Sequence, residues 1–142
     1  MTHVTFKPSK AGSVSGTLSF SDNALGSPQR VPLTGTGTVV KLTPSKLNFG
    51  KVAVGKTSSP MTVTLTNTGK TALDITGIDF TGSDPKDFGE SNTCRSSVAA
   101  GASCRFSVTF TPKAPGNRSA HLTINDTGGG SPQAVSLSGT GE

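Results

Sequence analysis

The chain has no tryptophan and no tyrosine, and its only aromatic residues are seven phenylalanines. That removes the flat, amphipathic rings on which sugars and single-stranded bases stack, so neither a glycan platform nor a single-strand nucleic-acid face is expected. Charge is sparse as well, at 15% of residues, and the thirteen lysines and arginines behind the net charge of +5 are scattered and form no basic run. Such a distribution makes a solubilising surface. No stretch approaches eighteen consecutive apolar residues, which excludes membrane insertion by a helix, and the first ten residues lack the apolar centre of a secretory signal. If the parent protein is exported, this chain is expected to be an internal or terminal piece of it. With two cysteines and two histidines, donors are too few for a soft tetrahedral metal site, and no cofactor is expected. What is abundant is glycine, at 18 residues, and proline, at 9, amid serine and threonine, while hydrophobic residues reach only 31%. Many short strands joined by tight turns fit that balance better than packed helices.

The chain repeats itself. The segment VTFKPSKAGSVSGTLSFSDNALGSPQRVPLTGTGT from Val4 aligns without a gap to VTFTPKAPGNRSAHLTINDTGGGSPQAVSLSGTGE from Val108, an offset of 108 − 4 = 104 residues with 17 of 35 positions identical. That period is the size of one immunoglobulin-like domain and too long for a small solenoid unit. By subtraction, residues 39–142 form one complete repeat, and residues 1–38 match only the C-terminal part of another. The intervening Gly35-Thr36-Gly37-Thr38-Val39-Val40 is too short for a free linker, so neighbouring repeats are expected to be closely coupled.

Within the complete repeat, apolar residues alternate at period two between turn signals. The expected strands carry Leu47 and Phe49 towards Val52 and Val54; Met61, Val63 and Leu65; Leu73 and Ile75; Ile78 and Phe80, with a bulge or kink at Thr76-Gly77; Cys104, Phe106, Val108 and Phe110; Ala120, Leu122 and Ile124; and Val135 with Leu137. About seven strands predict an all-β, immunoglobulin-like antiparallel sandwich. Its core is expected to contain Phe49, Val63, Leu65, Phe106, Val108, Phe110, Leu122 and Leu137.

Three patterns carry possible chemistry. Residues 50–57 read GKVAVGKT and match the phosphate-loop pattern letter for letter. That motif needs a helix whose amides converge on phosphate, whereas Ser58-Ser59-Pro60 and an alternating strand follow here. Cys94 and Cys104, with nine residues between them, suit a disulfide across the connection of two neighbouring strands, and a disulfide implies an oxidising compartment; two free thiols in a cytosolic protein is the alternative. Asp79, Asp84 and Asp87 cluster near one loop, yet their spacing matches no calcium loop, and turn formation accounts for them. His121 lies on a strand between Ala120 and Leu122, His3 aligns with Ser107 in the repeat, and no nucleophile–base–acid set is present. Asn117-Arg118-Ser119 and Asn125-Asp126-Thr127 match glycosylation acceptors.

The runs LTPSKLNFGKVAVGKTSSPMTVTLTNTGKTAL, NTCRSSVAAGASCRFSVTFTPKAPG and GSPQAVSLSGTG resemble the bacterial choice-of-anchor D family of tandem immunoglobulin-like repeats, related to the Hydin-like ASH domains. The resemblance covers nearly the whole chain. It implies a repeated β-sandwich of a large secreted or cell-surface protein, with no catalytic residues to transfer.

The expectation for function is therefore a non-catalytic spacer or adhesion repeat, located outside the cell. The rivals are a carbohydrate-binding accessory module, which lacks aromatic support, an intracellular ASH-type scaffold, and a subunit of an extracellular filament. Expected partners are other copies of the chain or neighbouring repeats of the same array. A third of a sandwich exposes an apolar face and unpaired edges. Leu18, Phe20, Val31 and Leu33 are accordingly expected to pair with their counterparts in a second copy across a twofold axis.

Overall fold

The computed structural model of the protein describes residues 3–8 and 11–142. Its first regular element is an antiparallel hairpin of β1 (Gly12–Phe20) and β2 (Gln29–Gly37), in which Leu18 faces Val31 and Gly16 faces Leu33. Nine strands follow: β3 (Val40–Thr43), β4 (Lys46–Val52), β5 (Met61–Asn67), β6 (Leu73–Thr81), β7 (Phe88–Asn92), β8 (Ser97–Val98), β9 (Ser103–Phe110), β10 (Gly116–Asp126) and β11 (Gln133–Gly141). They form a five-stranded sheet in the order β4-β11-β10-β6-β8 and a four-stranded sheet in the order β3-β5-β9-β7. The fold is an all-β, immunoglobulin-like sandwich whose pairs are antiparallel except for β4 with β11. Apart from one 3-10 turn at Pro85–Asp87, the described residues contain no helix.

Alternation builds the core. Cys104, Phe106, Val108 and Phe110 point inward from β9, Val63 and Leu65 from β5, and Ala120, Leu122, Ile124, Val135 and Leu137 from β10 and β11 of the facing sheet. Each of these side chains is buried, and burying one of the larger ones is worth about 1.5–3 kcal/mol before ordering entropy is subtracted. Phe49 is half-buried, closing the core at one end with Phe88 and Phe110 at ring-centroid distances of 6.0 and 5.8 Å.

Two elements differ from the expected strands. Residues 73–81, expected as two strands, form a single β6, and the bulge falls at Thr76, since Asn125 faces Gly77 and Asp126 faces Ile75. The count is nine instead of about seven because β3 begins inside the segment taken for a connector and because β7 and β8 carry few apolar residues. Val54 lies beyond the end of β4 and is exposed. Buried Asn67, at the end of β5, ties the β5–β6 connection to β8: its Nδ2 donates to the carbonyls of Thr71 and Val98 at 2.8 and 2.9 Å, and its Oδ1 accepts from the Gly69 amide at 2.9 Å.

Candidate functional site

The phosphate-loop pattern is built into the sandwich edge. Its first residues belong to β4, and the amides that would have to cradle phosphate already donate to carbonyls: Val54 to Glu142 at 3.0 Å, Gly55 to Pro112 at 2.9 Å and Lys56 to Ala53 at 2.9 Å. No helix follows, so there is neither a dipole nor a free amide nest for an anion.

The acidic loop is likewise occupied, by a cation of the protein's own. Arg118, near the start of β10, donates from Nε to Asp87 Oδ2 at 2.7 Å and pairs through Nη2 with Asp84 Oδ1 at 2.8 Å. The Lys113 amide donates to Asp87 Oδ2 at 3.2 Å, and the Ser119 amide to Asp84 Oδ2 at 2.9 Å. Burial pushes the Asp87 carboxyl up, but the Arg118 and Lys113 hydrogen bonds and the Arg118 charge outweigh it and hold the group below the ordinary aspartate value. The constellation clamps the 3-10 turn to β10. Among the described residues, no group of three or more His, Cys, Asp or Glu side chains converges on a point where a metal could sit.

Cys94 and Cys104 are joined as a disulfide, with Cα atoms 5.0 Å apart. The strands on either side, β7 and β9, are antiparallel neighbours, and the connection between them carries β8, which crosses to the other sheet and pairs Val98 with Leu73. The bridge thus closes a loop that spans both layers. His121 and His3 are exposed and stand apart from any nucleophile–acid arrangement.

The four residues expected to pair with a second copy lie on one face of the hairpin. Leu18 and Phe20 on β1 alternate in phase with Val31 and Leu33 on β2, and their counterparts 104 residues on are Leu122, Ile124, Val135 and Leu137, all buried in the complete repeat. In the hairpin, Phe20 is 50% exposed and Val31 44%, while Leu18 and Leu33 are half-buried. Phe6 packs over Gly35 as Phe110 packs over Gly139, leaving no room for a side chain at either glycine, yet Phe6 is 52% exposed where Phe110 is fully buried. A groove of 600 Å³ lined by Val4, Phe6, Val14 and Leu33 runs along this face. The hairpin therefore presents, uncovered, the surface that the complete repeat turns inward.

The family model described as HYDIN/CFA65/VesB-like, Ig-like domain, matches residues 38–140. No curated protein matches the chain. Among solved structures, the ASH / PapD-like domain of human CEP192 (PapD-like domain 7) is similar at 18% identity and a TM-score of 0.55, over 74% of this chain and 86% of that one. The VesB protease of Vibrio cholerae is similar at 22% identity and a TM-score of 0.54, over 72% of this chain but only 32% of the protease. The secreted serine protease VesC from Vibrio cholerae matches at 19% identity and a TM-score of 0.52, over 66% of this chain and 21% of that one. At these identities the likeness establishes the fold. No helix among the described residues is long and apolar enough to cross a membrane.

Proposed function

The chain belongs to the HYDIN/CFA65/VesB-like family of Ig-like domains, and from that premise we propose that it is a non-catalytic structural repeat, a spacer or adhesion-stalk module of a secreted or cell-surface bacterial protein of the choice-of-anchor D kind. Its units are residues 1–38, the C-terminal part of one repeat, and residues 39–142, a complete one. The observation that carries this reading is the direct succession of the two: only Thr38 and Val39 separate the last strand of the hairpin from the first strand of the sandwich. A module coupled to its neighbour through two residues transmits position, which is what a spacer needs. The side chains that would suggest chemistry serve the fold, as the Asp84, Asp87 and Arg118 cluster does. The disulfide supports an oxidising compartment.

The test is binding and redox state together. The purified chain is expected to be retained by no glycan on an array, and native material is expected to carry Cys94 and Cys104 oxidised under non-reducing alkylation. Retention on a defined glycan would make it a carbohydrate-binding accessory module, and reduced thiols would make it an intracellular ASH-type scaffold.

The exposed hairpin face supports a second reading, in which two copies of the chain associate. Val4, Phe6, Phe20 and Val31 are each at least 44% exposed, whereas their counterparts in the complete repeat are buried. A second copy offers the same uncovered face, and the isologous arrangement buries both at once. A concentration-dependent dimer in sedimentation equilibrium, weakened by Val31→Lys, is expected; a monomer at high micromolar concentration overturns this reading. If complete repeats also associate, the dimer becomes the unit of an extracellular filament.

A further inference from the structure

Two loops meet the joint between hairpin and sandwich: Thr68, between β5 and β6, donates from N and Oγ1 to the Val39 carbonyl at 2.8 and 2.9 Å, and residues 127–132, between β10 and β11, make the remaining contacts. The Val39 amide donates to the Gly128 carbonyl at 3.1 Å. Gln133 Nε2 donates to Thr38 Oγ1 at 3.2 Å and to the Gly129 carbonyl at 3.0 Å, tying the connector to the loop. From the other side, the open end of the hairpin, where Gly12 pairs with Gly37, lies against Gly129. A Cβ at Gly129 would come within 2.5 Å of the Gly12 nitrogen, 2.7 Å of the Gly37 carbonyl oxygen and 3.0 Å of the Ala11 Cβ. Two of these three are backbone atoms at the end of a strand ladder and cannot swing aside as a flexible side chain would. Gly129 also has φ +77°, a conformation that side chains with a Cβ rarely adopt.

The two repeats part company at this loop. Residues 126–133 read DTGGGSPQ and their counterparts 22–29 read DNALGSPQ. The hydrogen bonds that shape the loop are shared: Asp126 N to Ser131 Oγ at 2.9 Å and Gly128 N to Asp126 Oδ1 at 2.7 Å, against Asp22 N to Ser27 Oγ and Ala24 N to Asp22 Oδ1, both at 2.9 Å. What changes is Thr127-Gly128-Gly129, which becomes Asn23-Ala24-Leu25, so that both glycines gain a side chain, and Leu25 stands fully exposed. The frame is kept while the contact surface is altered.

We infer that the loop of residues 127–132 is a socket for the open end of a neighbouring repeat's last hairpin, and that Gly129 is the positioning residue that lets the two seat. The partner it fits is defined by chemistry: a β-hairpin end closed by a glycine pair, offering backbone N–H and C=O with no side chain between. The chain carries a second such end, where Gly116 pairs with Gly141. That end fits a loop of the Gly128-Gly129 type and is refused by one carrying Leu25. An array of these repeats therefore contains two kinds of joint, seated where the loop is glycine and unseated where it is Ala-Leu. The inference deepens the spacer reading and rests on it, because it says which joints of the spacer are stiff.

The experiment is backbone NMR on the full 142-residue chain, comparing wild type with Gly129→Leu. The amides of Gly12, Gly37 and Val39 are expected to shift, and the hairpin is expected to tumble with a shorter correlation time than the sandwich, while β9 and β10 keep their wild-type shifts. Should leucine at this positive-φ position prevent the repeat from folding, Ala11→Trp applies the same obstruction from the hairpin side and leaves the loop intact. Loosening of the hairpin on an intact sandwich, in every variant that folds, supports the socket. A hairpin that stays coupled in Ala11→Trp, or in a folded Gly129→Leu, overturns it. Glycan retention by the wild-type chain would overturn the spacer reading and leave this result standing, so the two failures are distinguishable.

Discussion

Replacing Phe106 by alanine tests the sandwich at its centre. Phe106 sits in β9, flanked by Val63 of β5 and Asn92 of β7 in the ladder, and it is 0% exposed. Truncation loses the transfer free energy of the ring, about 1.5–3 kcal/mol, and leaves a void that neighbours on two sheets cannot collapse into. With that cavity the expected loss is about 3–5 kcal/mol. Against a total stability of about 5–15 kcal/mol this is a large fraction, and a domain of this size should melt roughly 12–40 °C lower, at about 4–8 °C per kcal/mol. The assay is urea unfolding followed by circular dichroism, with Arg105→Ala as the control. Arg105 is the next residue along the strand and is exposed, so its truncation should stay within about 0.5 kcal/mol. A loss below about 1 kcal/mol for Phe106→Ala, or a larger loss for Arg105→Ala, would refute the inward register of β9, because a slip of one residue exchanges the two faces.

Asn67→Ala should destabilise by several kcal/mol in the same assay, since it leaves the buried Val98 carbonyl and two further backbone groups without their partner, at about 1–3 kcal/mol for each group left unsatisfied. Asp87→Asn should lower stability at neutral pH and converge on wild type in acid: the folded-state carboxyl titrates below its ordinary value of 3.8, so its contribution is present above that value and disappears as pH falls through the folded one. Asp126 runs the other way. Burial raises its carboxyl above the ordinary value of 3.8, and its Oδ2 makes no hydrogen bond, so wild type should lose stability relative to Asp126→Asn as pH rises above that value and through the raised folded one. Reduction of the Cys94–Cys104 bridge should lower the melting temperature without unfolding the sandwich at room temperature, because closing a loop of sequence separation 10 contributes about 3 kcal/mol on the chain-entropy model, and of the two cysteines only Cys104 is buried in a core that otherwise rests on residues such as Phe106, Phe110, Leu122 and Leu137.

Much of the sandwich was legible because its central strands obey a simple rule. β5, β9, β10 and β11 are buried on one face only, and their alternation of apolar with Thr, Ser or charged residues is long enough to set phase as well as position. The peripheral strands gave no such signal: β7 reads FGESN with one buried apolar side chain, β8 has two residues, and β3 pairs only with β5. Their existence depends on what lies beside them in the fold. The Arg118 clamp was invisible for a related reason, since its partners lie 34 and 31 residues upstream and no local pattern links them. Comparing the repeats offers a hint, because Arg118 aligns with Val14, a charge where its counterpart is apolar. The joint had a clearer signal that periodicity does not weigh: DTGGGSPQ against DNALGSPQ changes three residues inside an otherwise matching turn, two of them from glycine. Glycine content by itself implies turn chemistry, and its second use, allowing one backbone to approach another, shows only in the distances.

The central claim is that consecutive repeats are held as one body by a two-residue connector and a loop contact. Residual dipolar couplings of the wild-type chain in a dilute aligning medium test it directly, with the amides of β1 and β2 fitted separately from those of β5, β9, β10 and β11. The account predicts that one alignment tensor, equal in magnitude and orientation for both sets, describes the hairpin and the sandwich together. A hairpin tensor markedly smaller than that of the sandwich would mean that the two move independently, and would contradict it.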